Sequence, residues 1–188
     1  MNLDAFSCRP FPKEDEPIRF VYIARICRTK GIDTLLEAAE YIKKKYDQTE
    51  FHILGFLEED YAEKIKKCSD EGVVIYHGMQ QDVIPFVEKC QCLLHPSFAE
   101  GMSNVCLEAA ALGRAVITTD VPGCRECVDA GRTGLLHAVA DGRDLIEKIE
   151  KFIAMPYNDR KKMGEEGRRK VEAEFSRRDI VDAYMREI

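Results

Sequence analysis

The sequence predicts an α/β domain, a doubly wound parallel sheet with helices on both faces. Three observations predict it. Apolar, β-rich segments alternate one for one with stretches of helical periodicity. Several of the former, IRFVYIA and QCLLH among them, are continuous apolar runs, as strands covered on both faces require. The chain has 188 residues, 45% of them hydrophobic, which is long enough for one well-packed domain and short for two.

The elements follow in order. IRFVYIA (18–24) is a strand. GIDTLLEAAEYIKKKY (31–46) carries Ile32, Leu35, Leu36, Ala39 and Ile42 on one helical face. EFHILG (50–55) is a strand ending in glycine. EEDYAEKIKKCSDEG (58–72) is an amphipathic helix closed by Gly72. VVIYHG (73–78) is a strand, and QQDVIPFVEKC (80–90) a short helix with Pro85 near its first turn. QCLLHPS (91–97) is the next strand. SNVCLEAAALG (103–113) is a helix capped by Ser103 or Asn104 and stopped by Gly113. RAVITTD (114–120) and GLLH (134–137) are strands, and DGRDLIEKIEKFIAM (141–155) is a helix. The charged tail, 158–188, reads as two helices parted near Ser176, where Ser-x-x-Asp caps the second. Its mixed charge reads as a solvated face.

The bulk numbers exclude several classes. A formal net charge of −6 gives no support to nucleic-acid binding. No apolar run approaches the ~18–20 residues of a membrane span, and the N-terminus lacks a signal-peptide pattern. Eight scattered cysteines, several inside apolar runs (Cys92, Cys106), suit reduced thiols in a cytosolic protein. Cys124 and Cys127 form a C-x-x-C, but Cys90 and Cys92 do not complete an ordinary zinc spacing, so these read as incidental cysteines.

Ligands of such sheets sit at the carboxyl ends of the strands, here the loops after Ala24, Gly55, Gly78, Ser97 and Thr119. The first holds Arg25, Arg28 and Lys30 just before Gly31 and a helix. Cations beside a helix N-terminus make a phosphate or pyrophosphate site; the plain alternative is a solvated basic loop. No G-x-G-x-x-G is present, which weakens a dinucleotide-dehydrogenase reading.

SFAEGMSNVCLEAAALGRAV (97–116) places Glu100 in a loop and Glu108 in the second turn of the following helix. Helical side chains lean toward the N-terminus, so Glu108 can reach the ligand edge. Carboxylates repel phosphate but accept hydroxyls well. A ligand with anionic and polyhydroxylated parts, a nucleoside-diphosphate sugar, satisfies both loops. The alternative is that Glu100 complements the helix dipole and Glu108 is a surface residue.

The stretch HPSFAEGMSNVCLEAAALGRAVITTDVPG resembles the donor-binding core of the retaining GT-B glycosyltransferases related to glycogen synthase and sucrose synthase, the group 1 family. Its Glu-x7-Glu is matched by Glu100 and Glu108. Its Gly-Arg-x4-Lys-Gly element is matched by ARICRTKG, with Ala24 in place of the first glycine and Arg25 and Lys30 in register. GCRECVDAGRTGLL (123–136) matches the run that follows, and the resemblance extends roughly over 18–153.

The resemblance implies a Rossmann-like domain, one half of a GT-B fold. It implies that Arg25 and Lys30 bind the donor pyrophosphate and neutralise the leaving group, with Glu100 as third catalytic residue on the donor sugar. It implies that Glu108 holds the ribose, that Gly101, Met102, Ser103 and Asn104 contact sugar and phosphate, and that Gly78 and Met79 lie beside the base. No metal cofactor is implied. The implied donor is a UDP-sugar, giving a hexose or N-acetylhexosamine to a surface-polysaccharide or lipid-linked saccharide acceptor. The implied setting is cytoplasmic, peripheral at the inner membrane face in the full-length protein.

By the same resemblance, 1–17 is an inter-domain linker remnant and 18–155 the donor-binding domain. Residues 156–188 are C-terminal helices that cross back to an N-terminal acceptor-binding domain absent here, so this chain alone is expected to be inactive. Two other readings stay open: a non-catalytic nucleotide-sugar-binding subunit that needs a separate acceptor subunit, and a GT-B-fold sugar-nucleotide epimerase. His52 and His77 read as strand-end residues, His77 near the base; His95 borders the hexose or is structural.

Overall fold

The computed structural model describes residues 1–58 and 61–176. Strands β1 (Ile18–Ile23), β2 (Thr49–Leu54), β3 (Ile75–Tyr76), β4 (Cys92–His95), β5 (Ala115–Thr119) and β6 (Gly134–His137) form one parallel sheet in the order β3-β2-β1-β4-β5-β6. The winding reverses between β1 and β4, where Phe20 lies opposite Cys92. Helices α1 (Ile32–Lys45), α2 (Ala62–Asp70), α3 (Ile84–Val87), α4 (Asn104–Ala111), α5 (Gly142–Ala154) and α6 (Tyr157–Glu174) connect and cover it.

Each face of the sheet carries a buried apolar core. Alternate residues Phe20, Tyr22, Phe51, Ile53, Leu94 and Ile117 join α1 and α5 in one core, where Phe20 stacks on Phe51 at 5.1 Å. The intervening Val21, Leu93 and Val116 meet Cys106, Leu107 and Ala110 of α4 and Val171 of α6 in the other. Burial on two faces is why these strands read as continuous apolar runs. Among the described residues no helix is long and apolar enough to cross a membrane.

Two elements differ from their sequence reading. The strand expected over 73–78 shrinks to Ile75–Tyr76. The amides of Val73 and Val74 both donate to the Cys68 carbonyl, closing α2 and leaving the ladder. The charged tail is also more than a solvated face. α6 buries Arg160, Met163, Gly164, Gly167 and Val171. A Cβ on Gly164 would lie 2.2 Å from the Gly113 carbonyl oxygen, so close backbone approach replaces large apolar side chains there. The second tail helix lies outside the described residues, as does the expected start of α2 at 59–60.

The N-terminal segment expected as linker is tied to the domain. Arg114, fully buried, donates to the carbonyls of Arg9, Pro10, Val87, Glu88 and Gly113. Arg168 Nη1 donates to the Phe6 carbonyl at 2.6 Å, and the Tyr157 hydroxyl to that of Pro12 at 3.0 Å.

Candidate functional site at the reversal of the sheet

Three loops are drawn together at the carboxyl ends of β1 and β4, the point where open parallel sheets bind ligands. After β1 the chain makes a 3-10 turn, Arg28–Lys30. The Tyr22 hydroxyl pins it by bonds to the Arg25 and Lys30 carbonyls, both 3.2 Å. Gly31 follows with φ 72°, and a Cβ there would sit 2.0 Å from the Pro96 carbonyl oxygen. Only glycine combines that conformation with that contact. The Phe98 amide donates to the Thr29 carbonyl at 2.9 Å, lacing this turn to the loop after β4. On the other side Gly123, φ 84°, backs onto Glu100, whose carbonyl oxygen would be 2.4 Å from an added Cβ.

Helix α4 opens into the same place. Ser103 caps it, its Oγ accepting from the Cys106 amide at 3.4 Å. The Asn104 and Val105 amides have no acceptor among the described residues. That exposed helix start is an anion-binding feature. A cleft of about 220 Å³ results, lined by Ile23, Ala24, Arg25, Lys30, His95, Glu100 and the run from Met102 to Val105. A roomier groove of about 640 Å³ runs between Gly131, Arg132 and α6. It adjoins the amino end of β6, the wrong edge of the sheet for this class of ligand.

The electrostatics are specific. Lys30 Nζ donates to Glu100 Oε1 at 2.7 Å, and His95 Nε2 lies 3.0 Å from the same oxygen. The His95 hydrogen bond is the largest influence holding the Glu100 carboxyl at about 2; burial opposes it, and Lys30 and Ser97 add to it. Arg25 instead turns outward, Nη1 meeting the two Glu58 oxygens at 2.9 and 2.8 Å with both side chains exposed. Glu108 is half-buried, its carboxylate has no ion pair or hydrogen bond among the described residues, and desolvation raises its pKa.

A pH test follows. The folded-state value of Glu100 lies below the ordinary 4.5, so its stabilisation is present above pH 4.5 and is lost as pH falls toward about 2. Glu100→Gln is therefore expected to flatten the unfolding free energy across that acid window, read by urea titrations at several pH values. An unchanged acid limb would remove the buried network from the account.

Of the residues expected from the sequence, the structure gathers Arg25, Lys30, Glu100, Met102, Ser103 and Asn104 around one cleft. Gly101 is exposed in the adjoining loop, and Glu108 stands in the second turn of α4, behind the lining residues. Gly78 and Met79 lie toward β2: the Gly55 amide donates to the Gly78 carbonyl at 2.9 Å, and a Cβ on Gly55 would sit 1.8 Å from the Ala24 carbonyl oxygen. Met79 is 69% exposed.

Sequence reasoning missed Glu58, whose partner is 33 residues away, and left His95 ambiguous. His52 and His77 form a stacked pair, Nδ1 to Nε2 at 2.9 Å, outside the cleft. Cys124 and Cys127 are buried thiols; Cys127 packs under the cleft floor, 3.6 Å from the Gly123 carbonyl and 3.8 Å from that of Ser103. Among the described residues no group of three or more His, Cys, Asp or Glu side chains is placed to hold a metal ion.

Fold and cleft together define a Rossmann-like α/β domain with its ligand edge where the sheet reverses. The chain belongs to the family Glycosyl transferases group 1, whose pattern it matches over residues 7–170. It is 33% identical over 162 residues to the capsular polysaccharide biosynthesis glycosyltransferase CapM of Staphylococcus aureus, covering 82% of this chain and 41% of that one. It is 31% identical over 127 residues to the N,N'-diacetylbacillosaminyl-diphospho-undecaprenol alpha-1,3-N-acetylgalactosaminyltransferase of Campylobacter jejuni, covering 68% of this chain and 33% of that one. It therefore spans less than half the length of these relatives. In fold it superposes on a mutant TarM from S. aureus crystallised with Fondaparinux, alpha-GlcNAc-glycerol and UDP. The TM-score is 0.83 at 23% identity, over 96% of this chain and 37% of that one.

Proposed function

We propose that the chain binds a nucleoside-diphosphate sugar, a UDP-sugar by preference, as the donor half of a retaining glycosyltransferase. One observation carries this: a cation, a charged carboxylate and the open N-terminus of α4 share a single cleft where the sheet reverses. The anionic part of a donor suits Lys30, Arg25 and the α4 amides; its hydroxyls suit Glu100 and Glu108. As the glycosidic bond breaks, negative charge grows on the departing diphosphate. Fixed cations and amides aimed there stabilise that charge. They supply what a divalent metal supplies elsewhere, so no metal cofactor is invoked.

The names of the relatives favour a surface-polysaccharide or lipid-linked saccharide acceptor for a hexose or N-acetylhexosamine. A second, acceptor-binding domain completes the reaction, and the assembled enzyme works in the cytoplasm at the inner membrane face.

A thermal-shift panel tests the reading. UDP and UDP-glucose are expected to raise the melting temperature of this chain in a saturable way, since a ligand that binds only the folded state stabilises it by mass action, about 2.7 kcal/mol at a hundred times Kd. Uridine is expected to do little. Glycosyl transfer by this chain alone is expected to be negligible, because positioning of the two reactants can supply ~7–11 kcal/mol of the barrier and the acceptor is not positioned. No shift with either diphosphate at millimolar concentration would overturn the proposal.

A further inference from the structure

We propose that His95 is the positioning residue for Glu100, holding its carboxylate for a donor-sugar hydroxyl while Lys30 turns to the diphosphate; the inference rests on the donor reading above.

His95 is the last residue of β4 and is 2% exposed. Its backbone is set by the sheet: it lies opposite Thr118 of β5, whose hydroxyl donates to its carbonyl at 2.9 Å. Its Nε2 is 3.0 Å from Glu100 Oε1, the oxygen that also takes Lys30 Nζ. An ionised carboxylate only accepts hydrogen bonds, so Nε2 carries the proton and donates. Oε2 keeps its capacity to accept from a ligand.

The two donors to Oε1 differ in what a ligand does to them. Lys30 is a flexible ammonium at the cleft wall, and a diphosphate draws it away from Glu100. His95 is buried, short and fixed to the sheet, so no ligand can draw it off. With Lys30 engaged, His95 and Ser97 remain beside Glu100, a loop residue, and His95, the larger influence of the two, keeps it in one orientation.

The other side of the ring argues against a packing role. Nδ1 is buried and has no hydrogen-bond partner among the described residues. A buried, unpartnered nitrogen is a cost that an aliphatic side chain in the same place avoids. A histidine kept at that cost is explained by its bond to Glu100.

The test uses the full 188-residue chain and titration calorimetry with UDP and with UDP-glucose. Wild type is expected to bind both. His95→Leu is expected to bind UDP as wild type does and to lose about tenfold in UDP-glucose affinity, the size of one charge-assisted hydrogen bond. His95→Gln, whose amide can donate from nearly the same place, is expected to recover most of that loss. In a Glu100→Gln background His95→Leu is expected to add nothing, since the two residues act as one unit. The acid limb of His95→Leu stability is expected to move toward that of an ordinary glutamate.

Should His95→Leu fail to fold, His95→Asn replaces it: its shorter amide does not reach Glu100, and it is expected to lose what leucine loses. Equal losses for UDP and UDP-glucose, no loss for UDP-glucose, a glutamine variant as weak as leucine, or a full loss in the Glu100→Gln background each overturn the role of His95 alone. If wild type binds neither ligand, the donor reading falls first and this inference falls with it.

Discussion

Lys30→Ala is expected to weaken UDP binding about tenfold or more and to leave uridine binding nearly unchanged. On the donor reading the lost contact is a charge-assisted hydrogen bond to phosphate, worth ~1.5–3 kcal/mol, and uridine has no phosphate to lose. A second effect adds to it. Lys30 neutralises Glu100 across 2.7 Å; without it, the Glu100 carboxylate faces the incoming diphosphate with no ammonium beside it to offset the repulsion. Arg25→Ala is expected to act in the same direction with smaller size. Its side chain is 49% exposed and already paired with Glu58, and water screens such a group strongly. Calorimetric titration of UDP and of uridine reads the difference, and equal losses for the two would remove Lys30 from the phosphate site.

Glu108→Gln is expected to move stability and affinity in opposite directions. Burial with no partner raises the Glu108 pKa, so the ionised form is disfavoured in the folded state. The penalty is present at neutral pH, shrinks as pH falls through the raised value, and vanishes below the ordinary 4.5, where folded and unfolded chains both hold the proton. A neutral glutamine escapes it, so the melting temperature without ligand is expected to rise at pH 7 and to match wild type in acid. On the donor reading the same carboxylate accepts ribose hydroxyls. Its neutralisation is then expected to cost on the order of 1–3 kcal/mol of affinity for UDP and UDP-sugar alike. A residue retained against stability for the sake of a ligand is the pattern of a functional site. Loss of both stability and affinity would point instead to an ordinary packing residue.

The legible parts of this molecule are those governed by short-range pattern. The stripe Leu35, Leu36, Ala39 and Ile42 marks α1 because burial on one face imposes a helical period. Ser103 and Gly113 bracket α4 because caps have their own chemistry. What could not be read depends on backbone meeting backbone. β3 is short because two of its expected amides close α2. α6 packs inward through Gly164 and Gly167, residues that hydropathy scores as nothing.

The site divides in the same way. Cations after β1 and carboxylates around α4 stand out in the sequence as residue types at the edge where ligands bind. Their pairing does not. Lys30 and Glu100 are 70 residues apart and meet because Gly31 lets one loop press on Pro96 and Gly123 lets another press on Glu100. The Arg25 partner, Glu58, belongs to a different loop with no motif of its own.

The central claim is that one cleft reads the diphosphate and the sugar of a donor through separate residues. Titration calorimetry of UDP and UDP-glucose against wild type and Glu100→Gln tests it most directly. The account predicts that Glu100→Gln keeps UDP affinity near wild type and loses about tenfold for UDP-glucose, because only the hexose reaches that carboxylate. Wild-type affinity of Glu100→Gln for both ligands would contradict it.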